Sequence, residues 1–301
     1  MLVNRSPKRD LHGVLLLDKP TGMTSNAALQ RVKYLYNAKK AGHTGSLDPL
    51  ATGLLPICFG QATKVSEYWL AGDKKYQCRI KLGITTDTLD ADGEIQERRT
   101  VNVTDQSLES ALSEFRGEIL QTPPMYSALK RQGQPLYKLA RQGIEVEREP
   151  RVMVVHKLSA SLVDADTVDL SVHCSSGFYI RSLAQDLGQR LGCGAHVVSL
   201  RRTAKQYLEV TAAVSLDDLM RLDDPSRDER LLPIESMLRQ LPSVQLTEGD
   251  SKKFKQGQGV RGLNLLKESD YRVRDSEQIL IGLGKLTVSG EFKSTKQFVT
   301  S

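Results

Sequence analysis

Two stretches of strict apolar alternation, set apart by segments of helical spacing, most constrain the fold of this chain. Tyr76, Cys78, Ile80 and Leu82 share one face of a strand over 75–82, and Val168, Leu170, Val172 and Cys174 do the same over 168–174. Between them, Thr104 is placed to cap a helix that buries Leu108, Leu112 and Phe115 and stops at Gly117. After the second strand, Ile180, Leu183, Leu187 and Leu191 recur at helical spacing and end at Gly192. Nearer the start, 13–17 reads as a short buried strand and 18–22 as a Pro/Gly turn. A helix capped by Thr24 or Ser25 follows, with Leu29, Val32 and Tyr36 on one face. Ser215 to Asp218 has the form of a capping box. These elements do not alternate as strand–helix–strand units. The expected fold is α+β, with a mixed, mostly antiparallel sheet and flanking helices.

The 301 residues suffice for one large domain and one small one. Apolar residues make up 39% and charged residues 26%, so a packed core is expected and disorder is not. The character changes near residue 235. From 241 to 301, short apolar runs punctuated by glycines, with one short helix around 250–255, read as a small β-rich module. The boundaries expected are 1–240 and 241–301. Lys and Arg number 42 against 36 Asp and Glu, a mild excess that favours a polyanionic partner only if it is clustered. Cys58, Cys78, Cys174 and Cys193 show no C-x-x-C spacing, and no His stands at a zinc-site offset. They read as reduced, buried thiols, and no metal is expected. The first ten residues carry charge without a following apolar region, and Val14–Leu17 is too short to span a bilayer. A cytoplasmic protein with no membrane segment is expected.

The densest segment is A-G-H-T-G-S-L-D-P-L-A-T-G-L-L-P, residues 41–56. Gly42 and Gly45 permit backbone geometry closed to other residues, and Pro49 fixes the turn after Asp48. Leu47, Leu50, Leu54 and Leu55 require the loop to pack inward. Asp48 in such a loop is either a turn cap or a working carboxylate in a partly desolvated cleft. Arg181 fits a surface position at a helix start as well as a carboxylate partner. Tyr76 fits the core as well as a stacking surface, and His43 fits a structural role as well as a contact to ligand.

The loop G-H-T-G-S-L-D-P-L-A-T-G-L-L-P resembles the catalytic loop of the TruB family of tRNA pseudouridine synthases. So do D-K-P-T-G-M-T-S at 18–25, Lys75-Tyr76 at the head of a strand, and G-F-Y-I-R-S-L at 177–183. These landmarks come in family order between 13 and 203, with no departure at the motif positions. The last sixty residues resemble, more loosely, a PUA-type RNA-binding module. The resemblance implies isomerisation of uridine 55 in the T-loop of tRNA to pseudouridine. The uracil flips out, its N–C bond breaks, the ring turns, and a C–C bond forms through C5, with no cofactor. It implies Asp48 as nucleophile, Arg181 as its ion-pair partner and Tyr76 stacked on the target base. A carboxylate suits an electron-poor sugar carbon, and a guanidinium can hold it ionised and aimed. The phenol of Tyr76 is also a candidate acceptor for the C5 proton. RNA contact is expected from His43, Tyr179, Lys64, Lys130, Arg131, Arg141 and Arg202. Lys19 is counted with them, although with Pro20 it is expected mainly to brace the loop.

Basic residues cluster at Arg31, Lys33, Lys39 and Lys40, read as lying on the first helix. A second cluster, Lys130, Arg131, Lys138 and Arg141, is interleaved with Tyr126 and Tyr137. A third is Arg201, Arg202 and Lys205. Each is either an ordinary solvated face or a phosphate contact. Pro123, Pro124, Gly133 and Pro135 make the second stretch an irregular excursion, and a mobile lobe over about 124–152 that closes on RNA is expected, in line with the family resemblance. Two other readings remain. One is an RNA-binding or RNA-folding protein on the same scaffold. The other is a nucleoside hydrolase or glycosidase, which needs a second acid. The acidic run 87–93 lacks calcium-loop spacing and reads as a polar turn, expected near the RNA. No phosphate-binding glycine motif supports ATP or a nicotinamide. A monomer bound to the T-arm of tRNA is expected.

Overall fold

The computed structural model describes residues 7–266 and 269–298. In chain order the main elements are β1 (Gly13–Lys19), α1 (Ser25–Leu35), β2 (Ala41–His43), β3 (Thr52–Phe59), β4 (Lys74–Leu82), α2 (Asp105–Ser113), β5 (Gly117–Gln121), β6 (Arg151–Asp164), β7 (Thr167–Cys174), α3 (Ile180–Arg190) and β8 (Ala195–Lys205). The central sheet runs β1–β3–β8–β4–β7–β6–β5, extended beyond β1 by Val214–Ser215. Pairing is antiparallel except between β3 and β8 and between β1 and 214–215. The α+β architecture with a mixed, mostly antiparallel sheet is therefore present.

Burial explains the two kinds of strand. β1 and β3 are covered on both faces: Leu15, Leu17, Leu55 and Ile57 enter the main core, while Val14, Leu16, Leu54 and Cys58 enter a second one. That is why 14–17 is continuously apolar. β4 and β7 are covered on one face only, by the core that includes Leu108 of α2 and Leu183 and Leu187 of α3. Their other face carries exposed polar residues, so they alternate. The four cysteines are buried and unpaired.

Thr24, rather than Ser25, caps α1 by accepting from the backbone N–H of Ala27. Thr104 and Ser107 form a reciprocal capping box on α2, and Ser215 caps the helix Leu216–Arg221. Phe115 lies beyond the end of α2, partly buried against the core, and Gly117 opens β5 instead of ending the helix. Lys39 and Lys40 also fall outside a helix, because α1 stops at Leu35.

The C-terminal segment is β-rich, as expected. Ser243–Gln245, Asp270–Arg274, Leu280–Leu286 and Phe292–Gln297 form a four-stranded sheet. The helix Glu248–Lys255, capped by Thr247, packs Phe254 against it. This segment is not held by its linker alone. Leu283 and Phe298 pack with Trp69, Met237, Val14 and Leu16, and the indole N–H of Trp69 donates to the Met237 carbonyl at 2.6 Å. Among the described residues no helix is long and apolar enough to cross a membrane.

Candidate active site

A cleft of about 880 Å³ opens between the loop after β2, the head of β4, the start of α3 and the segment 126–141. That size falls within the range of about 300–1,000 Å³ usual for ligand sites. Its floor is the loop 44–51, and the sequence on both sides explains why that loop is rigid. The hydroxyl of Ser25 donates to the Leu47 carbonyl at 3.0 Å and accepts from the Leu47 N–H at 2.7 Å. The Gly22 N–H donates to the Pro49 carbonyl, and the Thr21 hydroxyl to that of Leu50. The turn 18–25 is thus the clamp of the loop 44–51.

Buried basic side chains grip the same loop from beneath. The Lys19 ammonium donates to the carbonyls of Pro20 and Met23 and reaches that of Pro49 at 3.5 Å. Arg202 donates to the carbonyls of Leu54, Gly45 and Ser46, and Lys205 donates to that of Thr44. Gly53 sits in register with Lys19 on one side and Arg202 on the other, at φ +102°. Burial lowers the ammonium of Lys19 to about 8 and that of Lys205 to about 6, the latter helped by the neighbouring charge of Arg202. These residues correct the reading of 201–205 as a basic surface patch. Arg202 is 1% exposed and Lys205 fully buried, while Arg201 forms a two-pronged pair with Asp18 at 2.7 and 2.9 Å. Arg202 supports the loop from a buried position and also lines the cleft.

Asp48 lies at the cleft floor with its Oδ2 2.9 Å from Nε of Arg181. Arg181, 5% exposed, also donates to the carbonyls of Thr88 at 2.9 Å and Tyr126 at 2.7 Å. One guanidinium therefore joins the loop 44–51, the turn 87–93 and the segment after 123. The same Nε is 3.6 Å from Oδ2 of Asp90, a second and buried carboxylate. Asp90 accepts from the Thr88 hydroxyl at 2.6 Å and the Asp92 N–H at 3.2 Å. The polar turn 87–93 does lie at the cleft, but its tie to Arg181 has no linear signal, because no spacing links residue 90 to residue 181. The Asp48 side chain keeps 40% of its exposure toward the open cleft. The protein around it still strips water away, pushing the carboxyl above its usual range against the pull of Arg181.

Tyr76 faces the cleft from β4, in register with Val172 of β7 and Arg202 of β8. Burial raises its phenol to about 12. Tyr179 precedes α3 and lines the cleft. Its backbone is fixed on both sides by the Gln121 side chain, which accepts from the Tyr179 N–H at 2.8 Å and donates to its carbonyl at 3.0 Å. This clamp was not visible in sequence. His43 ends β2 at the rim. Burial and the charges of Arg202 and Lys205 lower its pKa, so its ring is neutral near pH 7, and among the described residues its Nδ1 has no partner.

The remaining candidates lie outside the cleft floor. Lys130 and Arg131 are exposed on a two-residue hairpin closed by Gln132 and Gly133, both at positive φ. Arg141 lies over the Tyr137 ring at 5.7 Å, and both line the cleft wall. Lys64 is remote from this wall. Its ammonium reaches the Gln297 carbonyl at 2.7 Å, bridging to the last C-terminal strand.

Comparison with known proteins places the chain in a family. The chain matches the family models for the TruB family pseudouridylate synthase N-terminal domain over 33–180 and the tRNA pseudouridylate synthase B C-terminal domain over 181–239. A third model, for the pseudouridine synthase II TruB C-terminal region, matches over 242–295. It is 52% identical over 94% of both chains to tRNA pseudouridine synthase B of Stutzerimonas stutzeri. To the protein of that name from Coxiella burnetii it is 50% identical, over 93% of this chain and 92% of the other. In fold it resembles the Cbf5–Nop10–Gar1 complex (TM-score 0.72, 24% identity, 96% of this chain and 84% of that one). A chain of an H/ACA ribonucleoprotein bound to a substrate RNA gives the same score at 23% identity, with 96% and 86% covered. With relatives this close along nearly its whole length, the chain belongs to the TruB family of pseudouridylate synthases.

Proposed function

We propose that this protein converts uridine 55 in the T-loop of tRNA to pseudouridine, with Asp48 as the reacting carboxylate and no cofactor. The observation that carries the assignment of roles is the Asp48–Arg181 pair, 2.9 Å apart on the floor of an open cleft beside Tyr76. The relatives named tRNA pseudouridine synthase B support tRNA as substrate.

The target base is stacked in the T-loop, so it must be extruded into the cleft. That costs a few kcal/mol, offset by stacking and phosphate contacts. Tyr76 offers the flat surface for the uracil, and His43 at the rim is placed to fill the space the base leaves. Arg181 keeps Asp48 ionised and aimed at the sugar carbon. As the N1–C1′ bond breaks, the electron pair stays on the uracil and the carboxylate stabilises the electron-poor C1′. The uracil turns within the cleft, C5 bonds to C1′, the C5 proton leaves to water or a base, and N1, which kept the electron pair of the broken bond, takes up a proton from water, so atoms and charge balance. Tyr76 is a poor resting base for that proton. With a pKa of about 12, only about one phenol in 10⁵ is ionised at pH 7.

In this reading residues up to 240 carry the chemistry. The lobe 124–152 and the module 241–301 hold RNA, with Lys130, Arg131, Arg141 and Lys64 toward phosphates. The glycosidase reading needs a free second acid. Among the described residues, Asp90 and Asp92 are the other carboxylates that line the cleft; Arg181, the Thr88 hydroxyl and the Asp92 N–H already hold Asp90, and Asp92 stands exposed to water.

The test is a T-arm stem-loop tritiated at uridine C5, incubated with the protein in EDTA. Release of tritium to water is expected, with loss in Asp48→Asn while RNA affinity stays within about tenfold. Tight binding without release would instead favour an RNA-binding protein on this scaffold.

A further inference from the structure

The outer face of the central sheet, opposite the cleft, carries a cluster that pseudouridine formation does not use. Asp73 immediately precedes β4, His156 lies on β6 and His173 on β7. The Nε2 atoms of both histidines approach one oxygen, Oδ2 of Asp73, at 3.1 and 4.0 Å. All three potential ligand atoms lie within 4.8 Å of one another, and the imidazole centroids are 4.8 Å apart. Two nitrogens and a carboxylate oxygen bound to Zn²⁺ at about 2.0–2.1 Å would stand about 3.3 Å apart in a tetrahedron. The observed separations bracket that value, and small side-chain rotations close the difference.

The backbone delivers these side chains in a specific way. Val155 pairs with Cys174 and Lys157 with His173, so His156 is the extra residue of a β-bulge. Val155 and Leu158 are buried, and the two residues between them both face outward. Without the bulge, one of the pair would turn toward the core, because strand side chains alternate. The bulge therefore brings the His156 ring to the outer face beside His173. Asp73 is fixed in turn, since its carbonyl accepts from the Gln206 N–H at 2.8 Å. The three side chains keep 37%, 35% and 46% exposure, so an ion can reach them. No linear motif announces the cluster, because its members are 83 and 17 residues apart along the chain.

We propose that Asp73, His156 and His173 form a surface binding site for a divalent cation of the zinc type, with water completing the coordination. The ion straps the head of β4, the strand that carries Lys74 and Tyr76 into the cleft, to β6 and β7. Its role is structural, and the reaction does not pass through it.

The test uses the full chain, freed of metal with EDTA and then of chelator, titrated with ZnCl₂ in a calorimeter. One equivalent should bind and raise the melting temperature, because an ion that prefers the folded chain stabilises it. The double variant His156→Gln/His173→Gln should lose at least about tenfold in affinity together with the thermal shift. Asp73→Asn should behave likewise. Nitrogen-15 spectra of the unsubstituted protein supply a second readout that needs no variant: the Nε2 signals of His156 and His173 should move on zinc addition. Unchanged affinity in the double variant, or no shift at those two nitrogens, would overturn the site and mark any binding as adventitious.

Discussion

Nε of Arg181 stands 2.9 Å from Oδ2 of Asp48 and, on its other side, 3.6 Å from Oδ2 of Asp90. The remaining guanidinium nitrogens are spent on the carbonyls of Thr88 and Tyr126. Arg181 is thus both the electrostatic partner of the candidate nucleophile and the tie that holds three loops around it.

A lysine cannot reproduce that arrangement, because an ammonium is a point charge without the planar fork. Arg181→Lys should slow single-turnover tritium release at saturating RNA by at least about a hundredfold, and lower stability by about 3 kcal/mol as buried partners lose their donor. A variant that melts like the parent and reacts at its rate would show that the fork is dispensable.

The rate should follow ionisation of Asp48. Burial holds this carboxyl above the ordinary aspartate range. The single-turnover rate should therefore rise with pH through a midpoint above about 3.9, the unperturbed value, and flatten beyond it. A midpoint below that value would mean that Arg181 outweighs desolvation in the RNA complex. Because the His43 pKa is lowered, no second step is expected between about pH 6.5 and 8.

Stability should have its own pH slope, from the lysines under the loop. Burial brings Lys19 and Lys74 to about 8 and Lys205 to about 6. The unfolded chain, with lysines near about 10.4, binds more protons than the folded one between those values, so stability rises with pH across that window. The denaturant midpoint at about pH 9 should exceed that at about pH 6, and Lys205→Met should flatten the difference. An equal slope in that variant would remove Lys205 from the account.

Gly53→Ala should be among the most damaging small substitutions. A Cβ there would lie 2.3 Å from the Arg202 carbonyl oxygen and 2.9 Å from its N, on a residue at φ +102°. Overpacking against backbone and a left-handed φ together should cost about 3 kcal/mol, read as a fall in the denaturant midpoint. Gly22→Ala, at φ +75° with open space around it, should cost only the backbone term of about 1 kcal/mol.

Much of this protein was legible in one dimension. Alternation at 76–82 and 168–174 marks strands with one covered face, and the continuous run 14–17 marks a strand covered on both. Those patterns follow from local periodicity meeting a single apolar core, which is why sequence determined the fold class. The motif segments around Asp48, Tyr76 and Arg181 also pointed to the residues that the cleft brings together. What sequence left undecided was the use of each charge. Arg202 and Lys205 look like surface cations in the chain, and only the packing of β8 under the loop turns them inward onto backbone carbonyls. Asp90 looks like a turn residue until Arg181 arrives from 91 positions away. Asp73, His156 and His173 become neighbours only through the pairing of β4, β6 and β7 and one bulge. Electrostatic roles depend on distance and burial, and both are set by contacts between segments remote in the chain. The tertiary structure alone decides them.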